Sequence, residues 1–162
     1  MQRIRYLAIA VTTAVAAVAS LIPVTVGTTS DAPAHETVTL LAARPIPDVP
    51  GKRLVSILVD YPPGTSSVPH RHAGTAFIYA YVLSGEIRSQ VDDEPVRVYR
   101  EGEWWFENPG AHHRVSANAS KRRPARLLAV FIVDAAETEL TTPWENPARP
   151  DEMAGVAIRI PQ

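Results

Sequence analysis

The stretch AFIYAYVLSGEIRSQVDD, residues 76–93, decides the fold class. Residues 76–83 form a long apolar run, which the Ser-Gly pair at 84–85 ends. Residues 86–91 then alternate between polar and apolar side chains up to the Asp-Asp pair at 92–93. Two extended segments joined by a short turn are typical of antiparallel strands.

Similar segments lie on both sides of this stretch, separated by Pro, Gly and Asp turns. The sequence predicts strands at residues 53–60, 76–83, 86–91, 96–99, 104–107, 112–117 and 126–133. Turn signals about every 8–12 residues favour an antiparallel sandwich or barrel, and no segment after residue 35 keeps a helical period over three turns. We therefore predict a single all-β domain. Its barrel occupies residues 53–135, after an N-terminal strand or arm at 35–52 and before a Pro-rich, mostly irregular tail at 136–162.

The composition excludes several classes of protein. The chain has 162 residues, of which 46% are hydrophobic and 20% charged, and its formal net charge is −1. These values exclude a disordered chain and a polytopic membrane protein. A nearly neutral chain lacks the basic face that binds phosphates, so we expect no nucleic-acid partner. Because cysteine is absent, the chain has no disulfide, cysteine nucleophile or thiolate zinc site.

The first 34 residues have the pattern of a secretory signal peptide. Arg3 and Arg5 form a short basic start, and residues 6–30 carry no charge. We favour cleavage after Ala34 because the chain then turns polar, which predicts a periplasmic or secreted protein without stable membrane association. An uncleaved N-terminal membrane anchor is the alternative, since 25 uncharged residues are long enough to span a bilayer.

Four of the five histidines form two tight pairs, His70 with His72 and His112 with His113. On a strand, residues two apart face the same side roughly 6.6 Å from each other, so His70 and His72 can converge on one ion. The adjacent His112 and His113 must face opposite sides, so only one of them can join the same interior. Two such pairs in a small β-domain indicate a divalent transition metal, with Fe, Mn, Ni and Zn all open.

The residues around these pairs resemble the two sequence motifs of the cupin superfamily. GTSSVPHRH at residues 64–72 is similar to the first motif, and residues 102–118, which contain PGAHH, are similar to the second. The resemblance covers residues 50–135 and extends to small, quercetin-dioxygenase-like monocupins. In the second motif a Gly lies three positions before the metal-binding His, so Gly110 selects His113 over His112.

The resemblance implies an antiparallel jelly-roll barrel with a metal at its centre, bound by His70, His72 and His113. The cupin pattern also places a glutamate ligand after the second histidine, but residues 73–84 contain no carboxylate. The resemblance thus implies three neutral ligands with open positions, or a site that has lost its metal. Because iron(II) oxygenases commonly use two His and one carboxylate, this departure weakens the expectation of dioxygenase chemistry.

Three further features have alternative interpretations. Phe77, Tyr79 and Tyr81 share one face of a predicted strand, where they line a ligand pocket or form plain barrel core. Glu107 is a candidate for the missing carboxylate or an acid/base, although we expect a solvent-facing strand end. Aromatic residues at 104–106 occupy both faces of one strand, which indicates a homodimer face or simply a covered sheet.

Two functions are therefore expected from the sequence. The first is a metal-dependent, dioxygenase-like oxidoreductase acting on a small oxygen-rich or aromatic molecule. The second is a non-catalytic cupin that binds or senses a small molecule, with a degenerate or empty metal site. An exported structural or interaction protein is a third class, which the paired histidines disfavour. The sequence does not identify the ligand or assign catalytic residues.

Overall fold

A computed structural model of the protein describes residues 35–144 and 158–159. The predicted signal peptide and residues 145–157 and 160–162 of the predicted tail lie outside these ranges. The described residues form ten strands: β1 (Thr37–Pro45), β2 (Lys52–Tyr61), β3 (His70–His72), β4 (Phe77–Ser84), β5 (Glu86–Val91), β6 (Arg97–Arg100), β7 (Trp104–Glu107), β8 (His112–Asn118), β9 (Ala125–Asp134) and β10 (Thr141–Pro143). Within the same ranges, no helix has the length and hydrophobicity needed to cross a membrane.

The strands form two five-stranded antiparallel sheets. Sheet A has the order β1-β2-β9-β4-β7, and sheet B has the order β10-β3-β8-β5-β6. Strands far apart in sequence lie side by side: β2 pairs with β9 from Lys52 opposite Asp134 to Tyr61 opposite Ala125. This crossed-over order of two facing antiparallel sheets is a jelly roll, which confirms the predicted fold class.

The core fills the space between the two sheets. Half-buried and buried residues alternate along the whole of β2, because successive side chains on a strand point to opposite faces. Its buried residues pack with those of β4 and β9 in one cluster that includes Val55, Ile78 and Phe131. Each fully buried side chain of this kind contributes about 1.5–3 kcal/mol relative to an exposed one.

Every predicted strand is present with ends within one residue of the predicted ones. The turn at 84–85 requires glycine: Gly85 has φ 76°, and a Cβ there would lie 2.7 Å from the carbonyl oxygen of Pro124. The predicted tail is more regular than expected at one point, since β10 pairs with β3 through Thr141 opposite His72. Pro143 is tolerated there because β10 is the edge strand of sheet B.

Candidate metal centre

Three imidazoles meet on the inner face of sheet B. His70 and His72 lie at the two ends of β3, and His113 lies on β8 directly opposite His70. Each of the three offers a ligand atom, and these atoms lie within 4.8 Å of one another. The ring centroids are 4.8 to 5.9 Å apart. The structure thus brings together the three histidines that the sequence selected as ligands.

The alternation of β3 determines the direction of each side chain. His72 is buried and His70 is half-buried, whereas Arg71 between them is exposed and donates a hydrogen bond to the Gly110 carbonyl oxygen at 3.1 Å. Nδ1 of His70 lies 2.8 Å from the carbonyl oxygen of Val68 and therefore carries the proton. That hydrogen bond leaves Nε2 of His70 with a free lone pair, the form in which histidine binds a metal.

Glu107 is buried inside this cluster. Its Oε2 lies 2.7 Å from Nε2 of His72, and its Oε1 lies 3.4 Å from Nδ1 of His113. Trp105 donates a hydrogen bond from Nε1 to Oε1 of the same carboxylate at 3.0 Å. The expectation that Glu107 is a solvent-facing strand end is therefore wrong. A carboxylate, absent from residues 73–84, therefore lies beside the three histidines on β7, so their surroundings are not purely neutral.

The position of Glu107 follows from the alternation along β7. Trp104 and Phe106 are exposed, whereas Trp105 and Glu107 are buried. Glu107 pairs with Ile78 of β4, which is also buried. The sequence has aromatic side chains at three consecutive positions here, so hydrophobicity alone left open which pair faces the interior. The useful signal in the sequence is the two-residue spacing between Trp105 and Glu107, which places both side chains on the same face of the strand.

Several atoms of the cluster are buried without a hydrogen-bond partner: Nδ1 and Nε2 of His72, and Oε2 of Glu107. Although His72 Nε2 and Glu107 Oε2 are close, their alignment is not that of a hydrogen bond. Buried polar atoms left unpaired cost about 1–3 kcal/mol each, and more when charged. A divalent cation bound by Nε2 of His72 and Oε2 of Glu107 would remove the cost at these two atoms, so the residues present fit a metal.

The electrostatics of the cluster favour the protonation states that bind metals. Burial lowers the pKa of His70 to about 3, and burial also lowers the pKa of His113. Burial alone would raise the pKa of Glu107, but its contacts with His113, His72 and Trp105 lower it to about 2. The neutral imidazoles of His70 and His113 and the ionised carboxylate of Glu107 need release no proton before they bind a cation.

The sequence profile of the cupin domain matches residues 57–131, which include all four residues of the cluster. Residues 57–131 are a cupin domain. A search of curated proteins finds no match to the chain. The cupin resemblance of the sequence is thus confirmed, whereas the quercetin-dioxygenase-like subtype stays a prediction.

Solved structures are similar to this cupin domain. A conserved protein with a double-stranded β-helix domain from Klebsiella pneumoniae has a TM-score of 0.52 and 17% identity over 64% of this chain and 81% of that one. KdgF from Halomonas sp. has a TM-score of 0.49 and 16% identity over 62% and 81%. An oxalate oxidase solved with glycolate has a TM-score of 0.49 and 25% identity over 62% and 52%. The first of these supports the fold assignment and nothing beyond it.

His112 lies apart from the cluster of the cupin domain. Its ring centroid is 4.1 Å from that of Trp144, and its backbone N–H donates to Oδ1 of Asp92 at 2.9 Å. The structure therefore places His113 inside the cluster and His112 outside it, as the position of Gly110 implied. Ligation itself stays a prediction.

A cavity of about 540 Å³ adjoins the cluster, and His70, His72, Glu107 and His113 form part of its wall. The rest of the wall is mostly apolar, with Ile57, Val59, Ile78, Leu127 and Phe131 among its residues. The polar exceptions include Tyr61, whose hydroxyl lies 2.8 Å from Oγ of Ser67 and 2.7 Å from Oγ of Ser116. Burial raises the pKa of Tyr61 to about 12, so the phenol keeps its proton.

The aromatic residues predicted to line a pocket do not face this cavity. Phe77, Tyr79 and Tyr81 lie on the outer face of β4, exposed or half-buried, while Ile78, Ala80 and Val82 are buried. Both predictions for these three aromatic residues, that they line the pocket or that they form the barrel core, are therefore wrong. Residues 76–83 are apolar on both faces, so the sequence did not fix which set points inward.

Proposed function

We propose that this cupin domain binds one divalent transition metal through His70, His72, His113 and Glu107 and holds a small molecule at that metal. The observation that carries the proposal is Glu107, a buried carboxylate 2.7 Å from Nε2 of His72 with Oε2 unsatisfied. Imidazole together with carboxylate suits Fe, Mn, Ni and Zn, and the donor set does not choose among them.

The residues that line the cavity favour a ligand with an apolar body and one polar end. Apolar residues such as Val59 and Phe131 would contact the body, and the four candidate metal ligands lie along the same wall. The hydroxyl groups of Tyr61, Ser67 and Ser116 form a second polar region, which would hold an oxygen atom of the ligand by hydrogen bonds. A small carboxylic or hydroxy acid with an aromatic or aliphatic body fits this division.

A metal-dependent oxidoreductase of the dioxygenase type is the catalytic form of this proposal. When bound, the metal would supply Lewis-acid or redox chemistry. Glu107 supports this form because it adds a carboxylate to the histidines, the donor mixture that iron(II) oxygenases commonly use. The protein's own part is to orient the ligand through Tyr61 and its serine partners and to exclude water with the apolar wall. A non-catalytic binding or sensing cupin is the alternative.

Elemental analysis of the purified protein, before and after reconstitution with Fe, Mn, Ni and Zn, tests whether the protein binds a metal. We expect one metal per chain. Thermal-shift screening of small carboxylic and hydroxy acids should then find compounds that stabilise the metal-loaded form and not the metal-free one. Oxygen consumption with those compounds distinguishes an enzyme from a binding protein. Failure of every metal to bind would overturn the proposal.

We also propose that the protein is exported, on the basis of the pattern of residues 1–34. Intact-mass measurement on protein from the producing cell should then give a chain that begins at or near His35. Full-length protein in the membrane fraction would instead support the N-terminal anchor.

A further inference from the structure

A second groove, separate from the cavity beside the histidines, runs along the edge strand β1. Its volume is about 490 Å³. Among the residues that the structure describes, its wall consists of Leu40, Leu41, Ala42, Ala43, Arg44, Pro45, Arg53 and Ala135. None of these residues lines the cavity at the metal cluster. The proposed function therefore leaves this groove without a role.

The backbone of β1 explains the aliphatic wall of the groove. The register of β1 against β2 shifts between Leu40 and Ala42, so Leu41 is the extra residue of a β-bulge. Leu40 and Leu41 are 42% and 53% exposed. Pro45 lies opposite Arg53 of β2, and residues directly opposite each other share one face of a sheet. Aliphatic side chains with room for an apolar group thus lie next to Arg53.

Arg53 is a buried cation, with 8% of its surface exposed. It donates a hydrogen bond from Nη2 to the carbonyl oxygen of Glu137, whereas its Nε has no hydrogen-bond partner. Within residues 35–144 and 158–159, no carboxylate lies at salt-bridge distance from its guanidinium. A buried charge without an ion-pair partner is costly, so an anion next to Arg53 would stabilise the folded chain.

The acidic residues near Arg53 are already engaged with other groups. Asp134 is paired with Lys52, with Oδ1 and Nζ 2.6 Å apart. The carboxylate of Glu137 accepts a hydrogen bond from Oγ1 of Thr75 at 3.2 Å and others from backbone N–H groups. In the described part of the chain, Arg53 therefore receives a carbonyl oxygen from Glu137 and no negative charge.

We propose that this groove binds a medium-chain carboxylic acid, with its carboxylate at Arg53 and its aliphatic chain along β1. A guanidinium presents its donors in a planar fork that matches a carboxylate, and the unpaired Nε–H is one of those donors. Nε is covered in the structure, so binding includes a rotation of the Arg53 side chain toward the groove. Arg44 and Arg53 are the charged residues of the described wall, and both are cations, which favours an anion.

The length of the groove favours a chain over a small acid such as acetate. From Leu40 to Pro45 the strand advances five residues of about 3.3 Å each, or about 17 Å. Ligand sites typically combine a mostly apolar wall with a few polar groups that fix the orientation, as the leucines and Arg53 would do here. The groove and the metal-cluster cavity have separate walls, so this proposal does not depend on the proposed function.

Titration calorimetry with octanoate, on the protein as the producing cell processes it, tests the groove. We expect octanoate to bind, and octanol, which lacks the charge, to bind at least about tenfold more weakly. Arg53→Met keeps the length of the side chain without its charge and should weaken octanoate binding at least about tenfold. Leu41→Glu should do the same if the Met variant fails to fold, because it places an anion in the groove at an exposed position.

Arg88→Gln is the matched control, because Arg88 is exposed on sheet B, and it should bind octanoate as the wild type does. Three results would overturn the proposal. One is a wild type that does not bind octanoate at about 1 mM. Another is binding that Arg53→Met and Leu41→Glu leave unchanged. The third is binding that His113→Ala abolishes and Arg53→Met retains, which would place the acid at the metal cluster.

Discussion

Glu107 and His72 belong to different sheets, β7 of sheet A and β3 of sheet B, yet Oε2 of Glu107 lies 2.7 Å from Nε2 of His72. The proposed metal site therefore takes its carboxylate from one layer of the jelly roll and its imidazoles from the other. A cation bound there would join the two sheets. This arrangement differs from the sequence motif of the family, in which the glutamate follows the second histidine along the chain.

Replacing Glu107 by Gln is expected to weaken metal binding at least about tenfold. The amide keeps the size of the side chain but removes the negative charge that faces His72 and His113. Competition with a chelator of known affinity measures the effect for each metal. Glu101→Gln is the control, since Glu101 is exposed outside the strands and should bind metal as the wild type does. Equal affinities for the two variants would remove Glu107 from the ligand set.

His113→Ala should bind the metal more weakly than the wild type, whereas His112→Ala should bind it as the wild type does. Two imidazoles and one carboxylate hold an ion less firmly than the full set, so we expect a fall in affinity of about tenfold or more. His112 contacts Trp144 outside the cluster, so its loss should change stability only. Metal content per chain for the two variants decides this. Retention in His113→Ala with loss in His112→Ala would show that the other histidine ligates.

Acid should destabilise the metal-free protein over a defined range. The pKa of His70 falls on burial from 6.5 to about 3, so the unfolded chain takes up this proton first. The pKa of Glu107 falls from 4.5 to about 2, because its contacts with the histidines outweigh its burial, and the unfolded chain is again protonated first. Both groups make the free energy of unfolding decrease with falling pH, across 6.5 to 3 for His70 and 4.5 to 2 for Glu107.

The slope of the unfolding midpoint against pH measures this effect in the metal-free protein. His70→Gln removes one of several groups that titrate in this range and should have a shallower slope above about pH 4.5. A slope equal to that of the wild type would contradict the assignment of the effect to His70.

Gly85→Ala should destabilise the protein by about 2 kcal/mol or more, because a left-handed backbone with a side chain costs about 1–3 kcal/mol before any clash. The added methyl group would also lie 2.7 Å from the carbonyl oxygen of Pro124, which is backbone and cannot rotate away. Gly74→Ala is the control, since nothing lies within 4 Å of a Cβ there and its φ is not positive. Urea unfolding of both variants checks the difference, and similar losses would contradict the role of the 84–85 turn.

Local signals in the sequence were enough for most of the fold. Turn residues such as Gly85 ended the strands, and alternation in segments such as 86–91 identified them as strands. The paired histidines and Gly110 located the cluster, because two-residue spacing has the same meaning on any strand. These are properties of a few neighbouring residues, so no knowledge of the tertiary structure was needed.

The sequence does not predict which side chains point inward where both faces of a strand are apolar. On β4 and β7 a shift of one residue exchanges the inward and outward sets, and the residue types fit both choices. For this reason the sequence predicts a pocket or core position for Phe77, Tyr79 and Tyr81 and a solvent-facing position for Glu107, and the structure shows neither. Only the register of Ile78 opposite Glu107 settles both cases, and that register depends on contacts between distant strands.

The short strand β3 holds two of the candidate ligands, and it has one neighbour, β10, that arrives from the C-terminal part of the chain. A three-residue strand has few hydrogen bonds of its own, so its position depends on β8 and β10 together. Proteolytic trimming before Thr141 would release one side of this strand and loosen His70 and His72 while the rest of the core stayed folded. The histidine cluster therefore depends on the C-terminal segment of the chain as well as on the strands of the barrel.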